Sequence, residues 1–133
     1  MAFLVDSSVF IALERQGQSL DTLEAYGLGE SIALAAITVS ELLVGAHRAE
    51  TAERKLRREE FVDRILERFL ALPFDVQLAR VHSGIAAQLQ MAGQVVGAHD
   101  LLIAATAIAN GYSILTHNRW DFDRVPGLEV RQV

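Results

Sequence analysis

The sequence predicts an α/β protein, a three-layer α/β/α sandwich built around a mainly parallel central sheet. Short runs of apolar residues alternate with segments that have helical spacing, which is typical of strand–helix–strand units. The apolar runs have few polar interruptions, which indicates strands that are covered on both faces of the sheet. The chain has 133 residues and no Pro/Ser-rich linker, so we expect residues 1–133 to form a single domain.

The N-terminal segment predicts one strand and two helices. Residues 3–5 are apolar and predict the first strand, which stops at the Asp and two Ser of residues 6–8. These residue types cap helix N-termini, and apolar residues then continue at helical spacing until a glycine ends the helix. Residues 21–26 predict a second short helix, closed by Gly27 and Gly29.

The middle of the chain predicts a buried strand and a long helix. Residues 31–36 form the strand, and Thr38 with Glu41 three residues later has the form of a capping box ahead of an apolar run. A long helix is predicted from about residue 52 to residue 70. Its predicted apolar face consists of Leu56, Val62, Ile65, Leu66, Phe69 and Leu70.

The C-terminal half completes the alternation of strands and helices. Asp75 can cap a helix over residues 76–92, and His99-Asp100 opens a helix over residues 101–109. This last helix is apolar on nearly every side, as a helix buried in a core would be. The other predicted elements are a strand or connector at 72–74, a turn at 93–97, a helix stop at 110–111, and strands at 112–116 and 128–130.

Composition excludes several kinds of site. The chain has no cysteine, which excludes disulfides, thiolate zinc sites and cysteine nucleophiles. The N-terminus lacks the positive charge of a signal peptide, and the apolar stretch at 101–109 is far shorter than the roughly 20 residues that span a bilayer. We therefore expect a soluble cytoplasmic protein without a membrane partner.

The net charge of −5 does not suggest a nucleic-acid binder at first sight. Positive residues cluster between Arg48 and Arg68, but acidic residues in the same stretch nearly cancel them. This pattern is typical of a solvated helix face with ion pairs four residues apart, and it neither supports nor excludes nucleic acid.

Four acidic residues lie at predicted strand ends or helix starts: Asp6, Glu41, Asp100 and Asp121. In open parallel sheets ligands bind at the carboxyl ends of the strands, so these carboxylates are expected to converge there. Each also has a structural explanation as a helix cap, a helix-dipole partner or a turn residue.

The metal-binding explanation gains weight from Asp100, which precedes an almost wholly apolar helix. A carboxylate beside so much buried surface is costly unless it is paired, hydrogen-bonded or bound to a metal. No obvious cation is available to pair with these acids, because the only lysine, Lys55, lies in the exposed charge run. An oxygen-only cluster suits Mg²⁺ or Mn²⁺, which can activate water for attack on a phosphodiester. The four histidines lack zinc-binding spacing, but His99 and His117 flank the candidate acids.

Four segments of the chain, taken together, have an order and spacing that match those of a known protein family. They are Val5-Asp6-Ser7-Ser8, residues 37–42, residues 97–107, and residues 114–122 with Pro126-Gly127-Leu128 after them. In this arrangement the whole chain resembles the PIN-domain ribonucleases of the VapC type, the toxins of bacterial VapBC toxin–antitoxin pairs. The resemblance implies a PIN-like α/β/α sandwich and an endoribonuclease that uses Mg²⁺ or Mn²⁺ to cleave RNA.

The resemblance also assigns roles to residues. Asp6, Glu41 and Asp100 match the family's three most constant acids, and Asp121 matches a more variable fourth, for which Asp123 is the alternative. Supporting polar positions correspond to Ser8, Thr116 and Asn118, which capping and turn chemistry would explain equally well. Arg119 and Arg124 are possible RNA contacts. Partners implied by the resemblance are a VapB-type antitoxin, whose C-terminal segment enters the acidic groove, and a second copy in a homodimer.

Three other functions compete with this interpretation. A receiver-like signalling domain needs paired acids after the first strand and a late lysine, whereas Asp6 is followed by serines. A haloacid-dehalogenase-type phosphatase needs an aspartate where this chain has Ser8. The remaining alternative is a metal-free PIN-like binding module without nuclease activity. Its expected signature is a missing acid, and all four acids are present.

Overall fold

The computed structural model describes residues 2–26 and 31–133, so the predicted closure of the second helix at Gly27 and Gly29 lies outside the described residues. Within these ranges the strands are β1 (Phe3–Val5), β2 (Ile32–Ala35), β3 (Leu70–Leu72), β4 (Ser113–Thr116) and β5 (Val130–Gln132). The α-helices are α1 (Ser7–Arg15), α2 (Ala36–His47), α3 (Ala52–Arg68), α4 (Val76–Met91) and α5 (Ala98–Asn110). Short 3₁₀ helices cover Leu20–Tyr26 and Phe122–Arg124.

The described strands form one parallel sheet in the order β3-β2-β1-β4-β5. The first strand lies at the centre, where Phe3 pairs with Ile32 on one side and with Ser113 on the other. Because all five strands point the same way, their carboxyl ends share one edge of the sheet. The prediction of a mainly parallel sheet is confirmed.

Helices cover both faces of this sheet, which confirms the three-layer α/β/α architecture. Along β1, Phe3 and Val5 pack with buried residues of α1, α2 and α3, whereas Leu4 packs on the opposite face with α4 and α5. Successive side chains of a strand point to opposite faces, so an entirely apolar strand needs a core on each side. The burial of α5, which is apolar on nearly all sides, follows from its place in the second core.

The junction between β2 and α2 contradicts the predicted capping box. The helix begins at Ala36 with Ala35 at its N-cap position, so Thr38 lies inside the first turn, where it cannot cap the helix. Its hydroxyl is buried, and no hydrogen-bond partner for it lies within residues 2–26 and 31–133. The strand passes into the helix without a loop, and this places Glu41 in the second turn.

Four other elements have boundaries that differ from the predictions. The long helix ends at Arg68 because Leu70 joins β3, which pairs with β2 earlier than the predicted 72–74. Of its predicted apolar face, Leu56, Leu66 and Leu70 are exposed, and the unpredicted Phe61 is buried. The buried residues of α3 are Phe61, Val62 and Ile65, so Leu56 lies before the packed stretch and Leu66 lies on the solvent side of it. The last strand is β5 rather than 128–130, and the last buried helix begins earlier, at Ala98.

The segments that carried the clearest local signals form as predicted. The first strand is Phe3–Val5, and the Asp75 carboxylate accepts a 2.9 Å hydrogen bond from the backbone N–H of Leu78 at the start of α4. Among the residues that the structure describes, no helix combines the length and the hydropathy that crossing a membrane requires.

Candidate functional site

The four predicted acids lie around the carboxyl edge of the sheet. Asp6 directly follows β1, and its backbone N–H donates to the carbonyl of Leu115 in β4. Glu41 lies on α2, which follows β2 without a loop, and Asp100 lies in the first turn of α5. Asp121 lies in the loop after β4, just before a 3₁₀ turn.

Asp6 is the most buried of the four, with 8% of its surface exposed. Although it occupies the N-cap position of α1, its side chain makes no capping hydrogen bond. Instead, its Oδ2 accepts hydrogen bonds from the hydroxyls of Ser8 at 2.8 Å and Thr116 at 2.9 Å. Helix capping therefore does not explain the buried position of this carboxylate, and two hydroxyls fix its orientation.

The supporting residues Ser8, Thr116 and Asn118 form a connected set of hydrogen bonds. The Ser8 hydroxyl accepts from the backbone N–H of His117 at 3.1 Å, and the Thr116 hydroxyl accepts from that of Asn118 at the same distance. The side-chain oxygen of Asn118 in turn accepts from the backbone N–H of Trp120 at 3.1 Å. The loop that carries Asp121 is thus tied to the same hydroxyls that hold Asp6.

Asp100 and Asp121 approach each other beside Gly97. The Gly97 backbone N–H donates to Asp121 Oδ2 at 3.2 Å. A Cβ atom at position 97 would lie 3.3 Å from that oxygen and 3.7 Å from Asp100 Oδ2, so glycine permits this close approach. Burial above all, then a hydrogen bond with Asp121 and the negative charges of Asp6, Asp121 and Glu41, raise the pKa of Asp100 to about 7.

Glu41 completes the group. Burial and the negative charge of Asp6 raise its pKa, while a hydrogen bond and the charge of His99 and a hydrogen bond with Ser7 act in the opposite direction. His99 Nδ1 lies 3.3 Å from Glu41 Oε2. The other oxygen, Oε1, is buried, and no hydrogen-bond partner for it lies in the described part of the chain. A buried carboxylate oxygen in this position calls for a cation or a polar ligand.

The donor set fits a hydrated hard cation. It consists of carboxylate oxygens, one of them buried without a partner in the described part of the chain, and the negative charge of Asp6 raises the pKa of both Glu41 and Asp100. Within residues 2–26 and 31–133, no three Asp, Glu, His or Cys side chains are placed so that they alone could hold a metal ion. Mg²⁺ retains several waters and usually takes one or two carboxylates, so it does not need such a cage.

The two candidates for the fourth acid lie in different surroundings. Asp123 is exposed and pairs with Arg119, whose Nε lies 2.8 Å from Asp123 Oδ2. Asp121 instead lies beside Asp100 at Gly97, whose backbone N–H donates to Asp121 Oδ2. The expectation that no cation accompanies the acids is wrong, because Arg124 lies 3.8 Å from Asp121 Oδ1. The two residues are three apart on a 3₁₀ turn, a proximity that the sequence alone did not indicate.

Sequence reasoning missed Gly97 and Ser7 at this site. A glycine directly before a helix was the available signal for the first, and the Asp-Ser-Ser run was the signal for the second. Of the two flanking histidines, His99 contacts Glu41, whereas the His117 ring lies 2.6 Å from the carbonyl oxygen of Val133 and so faces the end of the chain.

A basic cleft lies next to Glu41. A small cavity of about 100 Å³ is lined by Glu41 together with Arg15 and Arg58, and these two arginines also line a neighbouring cavity of about 530 Å³. The larger cavity is lined by Arg15, Arg54, Arg57, Arg58 and Arg64 with Glu14, Glu60 and Phe61. The predicted i,i+4 ion pairs of the charged stretch are confirmed for Arg54 with Glu50 and Lys55 with Glu59. Helix α3 nevertheless contributes more arginines than acidic residues to the lining of the cleft.

The acid cluster makes the stability of the metal-free protein depend on pH. The pKa of Asp100 is about 7 in the folded protein and near its ordinary value of 3.8 in the unfolded chain, so the folded state binds more protons between these values. The free energy of unfolding should therefore fall as pH rises from about 4 through 7, by roughly 1–2 kcal/mol after solvent screening of a half-buried group.

Urea unfolding in EDTA at pH 5, 6, 7 and 8 measures this slope. We expect Asp100→Asn to flatten the slope, because asparagine does not titrate. A mutant with the full wild-type slope would show that other groups carry the pH dependence.

Known proteins match the chain over nearly its whole length. The family model for the PIN domain matches residues 3–128. A Rickettsia felis protein named Ribonuclease VapC1 is 36% identical over 133 residues, which cover 100% of this chain and 97% of the relative. A Rickettsia bellii protein named Ribonuclease VapC is 38% identical with the same coverage. The crystal structure of a DNA-bound VapBC from Salmonella typhimurium superposes with a TM-score of 0.85 at 28% identity, covering 99% of this chain and 98% of that one.

Proposed function

Because this chain belongs to the PIN-domain family, in its VapC branch, we propose that it is a metal-dependent endoribonuclease and the toxin of a type II toxin–antitoxin pair. The observation that carries the proposal is the convergence of Asp6, Glu41, Asp100 and Asp121 at one edge of the sheet, where Asp6, Glu41 and Asp121 each lie close enough to Asp100 to raise its pKa. Relatives named as ribonucleases support RNA as the substrate.

The four carboxylates would hold Mg²⁺ or Mn²⁺. When bound, such an ion lowers the pKa of a water molecule and stabilises charge on the oxygens of the phosphodiester. Ser8 and Thr116 keep Asp6 in one orientation by donating to its Oδ2. The pKa of Asp100 is raised to about 7, so its proton must leave before this carboxylate can act as an anionic ligand.

RNA binding requires positive charge, and this acidic protein has it in two places. The cleft beside Glu41 is lined by five arginines and two glutamates, and it lies where a strand leading away from the acids could place its phosphates. Arg119 and Arg124 lie in the loop with Asp121 and are proposed to contact RNA. Arg119 is paired with Asp123, so RNA has to compete for it.

We also propose a VapB-type antitoxin as the protein partner. The structural neighbour from Salmonella typhimurium is a VapBC complex, which supports this assignment. An antitoxin segment carrying an arginine would neutralise the acid cluster, since a guanidinium forms strong paired hydrogen bonds with carboxylates. A homodimer is proposed from the family resemblance. A cytoplasmic location follows from the proposed RNA substrate.

Growth after induction tests the toxin proposal. Expression of the wild-type chain in a bacterial host should arrest growth, and Asp100→Asn, expressed to the same level, should relieve the arrest. Sequencing of RNA 5′ ends shortly after induction should reveal new ends in the wild-type culture that the mutant culture lacks. Normal growth with well-expressed wild-type protein, or identical RNA ends in both cultures, would contradict the proposal.

A further inference from the structure

Trp120 is the only tryptophan of the chain, and 68% of its surface is exposed. It lies in the loop after β4, immediately before Asp121. Single exposed apolar residues are common on protein surfaces and need no functional explanation by themselves. Trp120 differs from an ordinary exposed residue because its surroundings fix the ring and join it to the acid cluster.

The ring is held from two directions. The Trp120 backbone N–H donates to the side-chain oxygen of Asn118 at 3.1 Å, which fixes the turn that carries the side chain. The guanidinium of Arg124 lies over the ring, 4.8 Å from its centroid, a cation–π contact that orients the indole. Arg124 is itself anchored, because it donates to the backbone carbonyl of Val95 at 2.5 Å.

The same guanidinium connects the ring with the acids. Arg124 lies 3.8 Å from Asp121 Oδ1 on one side and over the Trp120 ring on the other. The indole is therefore separated from the Asp100–Asp121 pair by a single side chain, a span that one nucleotide can bridge. A strand whose phosphate lies at the acids would carry its neighbouring base past Trp120.

The open surface of this indole suits a nucleic-acid base. Arg124 covers one face of the ring, yet the residue remains about two-thirds exposed, so most of its other surface is accessible. Unpaired bases stack on such aromatic side chains without regard to sequence, whereas bases inside a duplex are already stacked and paired. The adjoining Arg119 supplies positive charge for a neighbouring phosphate once RNA displaces Asp123 from it.

We propose that Trp120 stacks against an unpaired base next to the cleaved phosphodiester and so makes the enzyme selective for single-stranded RNA. The inference rests on the proposed ribonuclease function and adds a determinant of substrate choice to it. Loss of one stacking contact lowers affinity by about 10-fold to 100-fold. The ring takes no part in the chemical step, so its loss should appear mainly in KM and much less in kcat.

Fluorescence of the single tryptophan tests the contact in the wild-type protein. A single-stranded RNA oligonucleotide added in EDTA, where no cleavage is expected, should quench the emission, and the same strand in a duplex should quench it much less. Equal quenching by both forms, or none by the single strand, would overturn the proposal. Because this readout needs no catalysis, quenching without cleavage in Mg²⁺ would refute the nuclease function and leave the stacking contact standing.

Kinetics on the same single strand provide the second arm. Trp120→Ala should raise KM by about 10-fold or more, and Trp120→Phe should recover most of the loss because phenylalanine keeps a stacking face. Met91→Ala is the matched control, since Met91 is 89% exposed at the end of α4. Circular dichroism verifies that each variant is folded. An unchanged KM in Trp120→Ala would overturn the proposal, as would a dimer that dissociates in this variant, which would make Trp120 a contact between copies.

Discussion

Asp100→Asn is expected to reduce RNA cleavage in vitro by at least about a hundredfold, and up to a thousandfold, with the fold retained. Asparagine has nearly the same shape but removes a negative charge that the proposed cation needs. Because Asp100 is crowded by Asp6, Glu41 and Asp121, the same substitution should also relieve repulsion and stabilise the metal-free protein above pH 7. Loss of activity combined with gain of stability is characteristic of substituting a binding-site acid. Substitution of a structural acid would lower both activity and stability.

Asp123→Asn is the matched control for this substitution. Asp123 lies on the same loop as Asp121 but is exposed and paired with Arg119. Its loss should change cleavage by only a few-fold, because exposed ion pairs contribute little. Cleavage rates of the two purified variants, measured on one RNA at saturating Mg²⁺, compare the two effects directly. Wild-type activity in Asp100→Asn, or a larger loss in Asp123→Asn, would contradict the assignment of the fourth acid and of the site.

Removal of divalent cations should abolish cleavage entirely, and Mg²⁺ or Mn²⁺ should restore it. No side chain of the acid cluster is proposed as a nucleophile, so without the cation the attacking water is not activated. Because the ion would bind only the native state, it should also stabilise the fold, by about 2.7 kcal/mol when its concentration is a hundredfold above Kd. Melting temperatures at pH 7.5 with EDTA and with increasing Mg²⁺ measure the second effect alongside the activity assay.

The Mg²⁺-dependent rise in melting temperature should depend on the acids that hold the ion. Asp6 is buried and held by two hydroxyls, so Asp6→Asn should remove most of the Mg²⁺-dependent rise in melting temperature. Full cleavage in excess EDTA would refute the metal-dependent mechanism. A Mg²⁺ effect of equal size in the wild type and in Asp6→Asn would mean that the ion binds elsewhere on the protein.

The fold was predictable because its strongest signals are local. The apolar run at β1 and the Asp75 cap of α4 depend only on neighbouring residues, and both form as predicted. The capping box at Thr38 failed because β2 continues directly into α2, which a pattern of residue types does not reveal. The last strand was misplaced because β5 lies at the edge of the sheet and carries the exposed polar residues Arg131 and Gln132, so it lacks an apolar pattern.

The candidate site was likewise predictable only in part from the sequence. The acids could be located from the strand ends that precede them, since parallel strands bring their carboxyl ends to one edge. Contacts between distant segments could not be found in this way. Gly97 N–H to Asp121, and His99 beside Glu41, join residues 24 and 58 positions apart. The choice between Asp121 and Asp123 likewise depended on which side of a short turn faces α5.

Calorimetric titration of the metal-free protein with Mn²⁺ at pH 7.5 tests the central claim most directly, because it measures cation binding without any assumption about the RNA. The wild-type protein and Asp123→Asn should bind Mn²⁺ with similar affinity, whereas Asp6→Asn and Asp100→Asn should bind at least about tenfold more weakly. Indistinguishable binding by all four proteins, or no binding by the wild type, would contradict the claim that these carboxylates hold a catalytic cation.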